Sequence, residues 1–214
     1  MPPPEGFARF IESVAERSFG AAFPMFREAD PALECAAAPA LRRANATAYL
    51  NARAGRAPLL LVGEAMGYAG GRFTGIAFTA ERTLHRWGPP YTPTSVRPEG
   101  WAEQSGTIVH GALATLGIEA ETVLWNVVPA HPHRPGEPLS NRTPAVGELR
   151  AGAEVLGELI ERLRPRALVA VGRSAERALG ELGVDCDACV RHPANGGATA
   201  FRTGLETFCA RSPR

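Results

Sequence analysis

The chain has 214 residues, of which 45% are hydrophobic and 21% charged, with a formal net charge of +1 at pH 7. This composition favours one soluble globular domain with a sizeable core, and no apolar run approaches the length of a membrane span. The near-neutral charge neither requires nor excludes a nucleic-acid partner.

Residues 1–5 lack the basic segment followed by an apolar stretch that marks a signal peptide, so we expect a cytoplasmic protein with reduced thiols. Cys186 and Cys189 have the CxxC spacing of a metal or redox site. No second pair with matching spacing exists to complete a metal site, so the spacing favours incidental thiols.

Short apolar runs predict strands at Leu59–Val62, Thr122–Asn126, Ala167–Val171 and Cys189–Arg191. Helical spacing of apolar residues predicts helices at 7–14, Leu41–Arg53, 79–87, Trp101–Leu116, Val146–Leu163, 174–182 and Ala198–Cys209. Thr79 and Ser174 are the predicted N-caps of their helices. The Pro-rich segments 89–93 and 129–144 are predicted loops.

Strands alternate with helices, which predicts an α/β fold. We expect a three-layer α/β/α sandwich around a short, mainly parallel four-stranded sheet. No repeat or linker divides the chain, so residues 1–214 are expected to form one domain, with 1–57 as a helical extension packed on it.

Polar residues lie where three of the apolar runs end. Glu64 follows the first predicted strand, Asn126 ends the second, and His192 follows the fourth. Because the carboxyl ends of parallel strands share one edge of a sheet, these three distant segments are expected to build one site.

Five features in this order resemble the uracil-DNA glycosylase superfamily, most closely its family 4 and related bacterial branches, over roughly Leu59 to Phe208. They are GEAMG at 63–67, TGIAF at 74–78, Asn126, NRTP at 141–144 and the pair His192-Pro193. The resemblance implies an enzyme that flips a damaged base out of DNA and cuts its N-glycosidic bond. It also implies DNA containing uracil or a related damaged base as the partner, and hence association with the nucleoid.

The resemblance assigns catalytic roles to Glu64, which would orient water and stabilise charge on the sugar, and to His192, which would stabilise the departing base. Asn126 would pair with the imide edge of uracil, and Phe78 would stack on the base. Ala65 would line the base pocket. The structural alternatives are an acid in a turn for Glu64, a His-Pro turn for His192, a strand-ending residue for Asn126 and a core residue for Phe78.

Two loops are candidates for DNA contact. Asn141 and Arg142 close the Pro-rich loop, where arginine could meet phosphates, although a merely solvated loop fits equally well. Arg191, Asn195 and Gly196 flank or form the loop after His192, which the resemblance assigns to the DNA minor groove.

The chain departs from the family pattern at several positions. Met66 stands where proline is usual, and Ala194 where serine often follows His-Pro. The sequence carries Pro129-Ala130-His131 in place of the Lys-Cys-Arg element of family 4, and it has no N-terminal CxxC. We therefore predict no iron–sulfur cluster, no other cofactor and no metal, and place the chain outside family 4 proper.

The chain contains no lysine, so no lysine amine can form a Schiff base with DNA. Together with the resemblance, this absence predicts a monofunctional glycosylase that hydrolyses uracil from DNA, and we expect it to be a monomer. The alternatives are a glycosylase of the same fold acting on another deaminated or mismatched base, a non-catalytic lesion-binding module, and an unrelated α/β hydrolase of a small molecule.

Overall fold

The computed structural model describes residues 6–55 and 58–211. Their sheet has four parallel strands in the order β2-β1-β3-β4. The strands are β1 (Leu59–Ala65), β2 (Thr122–Val128), β3 (Ala167–Val171) and β4 (Ala188–Val190). The chain leaves β1 towards one edge and later returns to the other, so the topological switch point lies at the carboxyl ends of β1 and β3.

Helices cover the sheet and complete the predicted α/β/α arrangement. In the described ranges they are α1 (Ala8–Glu16), α2 (Ala38–Ala54), α3 (Gly71–Thr74), α4 (Glu81–Trp87), α5 (Gln104–Thr115), α6 (Val146–Leu163), α7 (Arg173–Glu181) and α8 (Ala198–Arg211). A short 3-10 helix, Glu119–Glu121, precedes β2. The predicted fold class is therefore confirmed, with α6 and β3 at their predicted bounds.

The core lies between the sheet and both helical layers. Every residue of β2 is buried, because helices cover both faces of a parallel strand. Gly152 lets α6 approach β2 closely, since a Cβ there would lie 2.2 Å from the Val127 carbonyl oxygen. No helix among residues 6–55 and 58–211 is both long and apolar enough to cross a membrane.

The N-terminal segment packs on this body through apolar and polar contacts. Phe10 of α1 is buried, and the Tyr49 hydroxyl of α2 accepts a hydrogen bond from the Leu124 amide of β2 at 2.9 Å. An antiparallel bridge joins Phe23 to His131. The first five and last two residues of the predicted extension, 1–5 and 56–57, lie outside the described residues.

Both predicted helix caps were wrong. The N-cap of α4 is Ala80, and the Thr79 hydroxyl instead donates to the Ala77 carbonyl at 3.0 Å. The N-cap of α7 is Gly172, which places Ser174 inside the helix. Gly172 has a φ of +94°, which glycine adopts without the strain imposed by a Cβ.

Candidate active site

A cleft of about 480 Å³ opens at the carboxyl ends of the strands, beside the switch point. Nine of the ten residues predicted from the sequence line it: Glu64, Ala65, Phe78, Asn126, Asn141, Arg142, Arg191, His192 and Asn195. Gly196 is next to Asn195 in the chain but does not line the cleft. The topology therefore brings residues from distant segments to one place.

Phe78 and Asn126 approach each other across Gly63, where a larger residue would force one of them to move. A Cβ on Gly63 would lie 2.4 Å from Asn126 Oδ1 and 2.5 Å from Phe78 Cζ. The register places Gly63 of β1 directly beside Asn126 of β2. The first glycine of GEAMG thus leaves room for the aromatic ring and the amide to form one wall of the cleft.

The turn before α4 holds Phe78 in a strained backbone conformation, with a φ of +53°. The Thr74 hydroxyl fixes this turn by donating to the Thr79 carbonyl at 2.7 Å. A non-glycine residue in the left-handed region costs on the order of 1–3 kcal/mol, and such strain is concentrated at functional sites. The TGIAF segment is therefore built to present this ring, whose centroid lies 5.9 Å from that of His192.

Asn126 is 2% exposed and carries an unpartnered hydrogen-bond acceptor. Its Nδ2 donates to Met66 Sδ at 3.2 Å, while Oδ1 is buried without a partner in the described part of the chain. Leaving a buried acceptor unpaired costs about 1–3 kcal/mol, so this oxygen is suited to a ligand that brings an N–H group.

His192 is held in a defined tautomer by its own loop. Its Nδ1 accepts a hydrogen bond from the Ala194 amide at 3.2 Å, so in the neutral ring the proton is on Nε2. Burial is the larger cause and the positive charge of Arg191 the smaller cause that lower the pKa of His192. The ring is therefore neutral at pH 7. Nε2–H is then a neutral donor available to a ligand.

The loop after His192 has the compact shape of a tight turn. Asn195 and Gly196 have φ values of +52° and +76°. A Cβ on Gly197 would lie 2.1 Å from the His192 carbonyl oxygen, so glycine is required there. This turn projects Asn195, which is exposed, at the mouth of the cleft.

Glu64 lies in β1 rather than in the turn after it, because β1 continues to Ala65. Its half-buried side chain lines the cleft. Within the described residues it makes no ion pair or side-chain hydrogen bond that would occupy its carboxylate. The carboxylate is thus available to a water molecule or a ligand.

Arg142 and Asn141 hold the Pro-rich loop in place. The Arg142 guanidinium forms two hydrogen bonds with the Glu148 carboxylate, at 2.6 and 2.7 Å, and this pairing raises its pKa. Asn141 Oδ1 accepts a hydrogen bond from the Tyr68 amide at 3.0 Å. These contacts join the loop to α6 and to the GEAMG loop, and the predicted phosphate contacts of Arg142 and Asn141 stay predictions.

Positive charge lies on the opposite rim. Arg191 is exposed, and the Arg173 side chain is 92% exposed at the start of α7. Both side chains line the mouth of the cleft. Sequence analysis did not single out Arg173, because nothing in its local pattern distinguishes it from the many other arginines.

Glu103 is a further cleft residue that sequence reasoning missed. It is the N-cap of α5, and its Oε2 is buried without a hydrogen-bond partner in the ranges described. Burial raises the pKa of this carboxyl to about 7. The predicted start of α5 at Trp101 placed Glu103 within a helix, so no sequence signal pointed to the cleft.

The described residues contain no group of three or more His, Cys, Asp or Glu side chains placed to hold a metal ion. None of the four cysteines forms a disulfide bond, and all four lie in the described part of the chain. Desolvation is the largest cause and the Glu176 carboxylate the next in raising the pKa of Cys189 to about 11, so the side chain is a neutral thiol at pH 7.

Comparison with known proteins identifies the family. The chain is similar to the crystal structure of wild-type SMUG2 from Pedobacter heparinus, with a TM-score of 0.62, 15% sequence identity and 96% of each chain covered. At this identity the likeness shows a shared fold. No curated protein matches the chain. The model of the uracil DNA glycosylase superfamily matches residues 52–211, which include every cleft residue named above. Because that match spans well over half of the sequence, the chain belongs to the uracil-DNA glycosylase superfamily.

Proposed function

We propose that the protein is a monofunctional DNA glycosylase that hydrolyses the N-glycosidic bond of uracil in DNA and leaves an abasic site for base excision repair. Membership of the superfamily supports a DNA glycosylase acting on damaged DNA. One observation carries the choice of uracil: Asn126 Oδ1 is a buried acceptor without a partner in the described chain, and it lies in the cleft beside the Phe78 ring.

Asn126 recognises the imide edge of the flipped base. Its Oδ1 accepts the N3–H of uracil, and its Nδ2 is the matching donor for O4. Cytosine has no N3–H and carries an amino group at C4, so it would leave the buried amide unsatisfied. Phe78 stacks on the base, a contact worth roughly 1–3 kcal/mol for each base.

The reaction breaks the bond between C1′ and N1, and its electron pair leaves with the base. His192 donates from Nε2 to O2 and stabilises the negative charge on the leaving uracil. Because the pKa of His192 is lowered, the ring acts as a neutral hydrogen-bond donor in this step.

Glu64 supports the sugar side of the reaction. Its carboxylate stabilises the oxocarbenium-like sugar and orients the water whose oxygen bonds to C1′. The proton released by that water passes to the carboxylate. No lysine is present to attack C1′, which favours hydrolysis over strand-cleaving lyase chemistry.

The rim of the cleft binds the DNA. Arg191 and Arg173 meet backbone phosphates, while Asn195 and Gly196 enter the minor groove and replace the extruded base. Asn141 and Arg142 support the DNA from the Pro-rich loop. We further propose that the enzyme works as a monomer in the cytoplasm, on the DNA of the nucleoid.

The test uses an end-labelled oligonucleotide with one uracil, as a single strand and opposite G or A. Alkali added afterwards breaks the abasic sites. Glu64→Gln and His192→Ala are expected to lower the single-turnover rate by about 100- to 1000-fold, the usual effect of removing one group that stabilises developing charge. Glu99→Gln, an exposed change outside the cleft, is the matched control.

Absence of product from folded wild-type protein would overturn uracil excision. Tight binding to uracil-containing DNA in that case would favour the lesion-binding module. Release of a different base would favour a glycosylase of the same fold with another specificity.

A further inference from the structure

We propose that Glu103 is a specificity-determining residue that, as a neutral carboxylic acid, donates a hydrogen bond to a carbonyl oxygen of the flipped base. This inference rests on the proposed glycosylase function and adds a third polar contact to the base pocket. It concerns a residue outside the motifs that resemble the superfamily.

Three glycines make room for the Glu103 carboxyl. A Cβ on Gly67 would lie 2.6 Å from its Oε1, and a Cβ on Gly70 would lie 2.4 Å from its Oε2. A Cβ on Gly106 would lie 3.1 Å from Oε2 and 2.2 Å from the Phe78 carbonyl oxygen. The GEAMG loop and the first turn of α5 thus enclose this carboxyl next to the segment that carries Phe78.

The enclosed carboxyl has no partner of its own. Oε2 is buried and unpaired, and no ion pair or side-chain hydrogen bond to Glu103 exists in residues 6–55 and 58–211. A buried polar group without a partner is costly unless a ligand completes it. Since Glu103 lines the same cleft as Asn126, Phe78 and His192, the ligand that completes it is the base.

The surroundings keep the carboxyl neutral up to about neutral pH. Burial alone raises the pKa of Glu103 to about 7, with no contribution from a neighbouring cation. Other ionisable groups lining the cleft are Glu64 of β1, Arg142 of the Pro-rich loop, Arg173 of α7, and Arg191 and His192 after β4. On α3, Arg72 is engaged in ion pairs with Asp30 and Glu34.

The chemistry of the leaving base requires a neutral acid at this position. Uracil departs as an anion whose charge spreads over its two carbonyl oxygens. His192 supplies a donor for one of them, and one Nδ2 hydrogen of Asn126 supplies a donor for the other while its second hydrogen contacts Met66 Sδ. A protonated Glu103 supplies a further donor, whereas its carboxylate form would repel the developing charge.

The test compares wild type, Glu103→Gln and Glu103→Ala in single-turnover excision of uracil from about pH 6 to pH 9. Wild type is expected to lose activity as pH rises through about 7, approaching tenfold for each further unit. Glu103→Gln keeps a neutral donor at every pH, so we expect activity within about threefold of wild type at pH 6 and no alkaline loss. Glu103→Ala is expected to lose about 100-fold at pH 6.

A second measurement separates this inference from the function on which it rests. An oligonucleotide with 2′-deoxypseudouridine offers two carbonyl oxygens on a base whose carbon–carbon glycosidic bond cannot be hydrolysed. Its affinity for wild type is expected to fall above about pH 7, but not for Glu103→Gln. The same pH dependence without any excision would uphold the role of Glu103 and overturn uracil hydrolysis alone.

Three results would overturn the role of Glu103. The first is a loss of excision activity at alkaline pH that persists in folded Glu103→Gln. The second is a folded Glu103→Ala that is as active as wild type. The third is a folded Glu103→Gln that is as inactive as Glu103→Ala, which would indicate that the ionised carboxylate acts as a base. Both proposals would be overturned if folded wild type neither excised uracil nor bound the 2′-deoxypseudouridine oligonucleotide.

Discussion

Glu81 is the first residue of α4 and Glu103 is the N-cap of α5, and their carboxyl groups are in opposite situations. Glu81 is fully buried and accepts hydrogen bonds from the amides of Thr94, Ser95 and Trp101 and from the Ser95 hydroxyl, at 2.5–3.1 Å. Glu103 receives none from the described chain, and its Oε2 is unpaired. The carboxyl of Glu81 is therefore saturated by the loop that joins α4 to α5, whereas the carboxyl of Glu103 is left for a ligand.

This contrast separates a buried acid that maintains the fold from one that belongs to the site. Four donors satisfy the buried carboxyl of Glu81, so its removal should harm folding. Desolvation without donors destabilises the ionised form of Glu103, so its removal should help folding and harm recognition of the base.

The largest expected effect is on stability. Glu81→Ala leaves three backbone amides and a hydroxyl without their acceptor and should lower the free energy of unfolding by about 3–5 kcal/mol. Urea denaturation at pH 7 measures it. A loss under 1 kcal/mol would mean that water replaces the carboxylate and that Glu81 does not organise the loop.

The next effect concerns geometry within the site. Gly63→Ala places a methyl group 2.4 Å from Asn126 Oδ1 and 2.5 Å from Phe78 Cζ, so one of the two must move. We expect uracil excision to fall about 100-fold, because a shift of about 1 Å near the reacting groups has such a cost. Gly157→Ala, where a Cβ meets nothing within 4 Å, is the control. Equal activity of the two variants would contradict the proposed base pocket.

Glu103→Gln should stabilise the protein at alkaline pH. Because folding raises the pKa of Glu103 to about 7, wild type loses stability as pH rises from about 4.5 to about 7, and the loss persists above that range. Glutamine has no charge to bury, so the variant should be more stable than wild type by about 2–3 kcal/mol at pH 8 and nearly equal to it at pH 4. Urea titrations at both pH values measure the difference, and a variant less stable at pH 8 would show that the carboxylate has a partner.

The smallest effect is expected at the exposed rim. Arg173→Gln removes a charge whose side chain is 92% exposed, so stability should not change. The free energy of binding to undamaged and to uracil-containing DNA should weaken equally, by about 1 kcal/mol. The slope of the logarithm of the binding constant against the logarithm of the salt concentration should become less steep by about one. Fluorescence anisotropy at several salt concentrations gives both values. A loss confined to uracil-containing DNA would place Arg173 at the base instead.

The apolar pattern was sufficient to predict the strands and the edge of the sheet where the site lies. The runs ending near Glu64, Asn126 and His192 mark this edge directly. The pattern failed where tertiary pairing decides the outcome. Gly63 and Ala65 have weak strand propensity, yet β1 extends through them because they pair with β2. The four residues of α3 are too few to show helical periodicity.

Glu103 could not be predicted for a different reason. Its importance comes from the space left by glycines 36 and 33 positions earlier, Gly67 and Gly70, and from its lack of partners. Neither property follows from local sequence. Asn126 was recognisable from its family position, but its unpaired oxygen became evident only when the register placed it against Gly63.

The most direct test identifies the base that the enzyme releases. A duplex with one uracil among ordinary bases is incubated with wild type, and the free bases are measured by mass spectrometry. We predict stoichiometric release of uracil, no release of cytosine, and release of uracil at least about 100-fold slower for His192→Ala. Folded wild type that liberates no uracil under any pH or strand condition would contradict the assignment of the cleft.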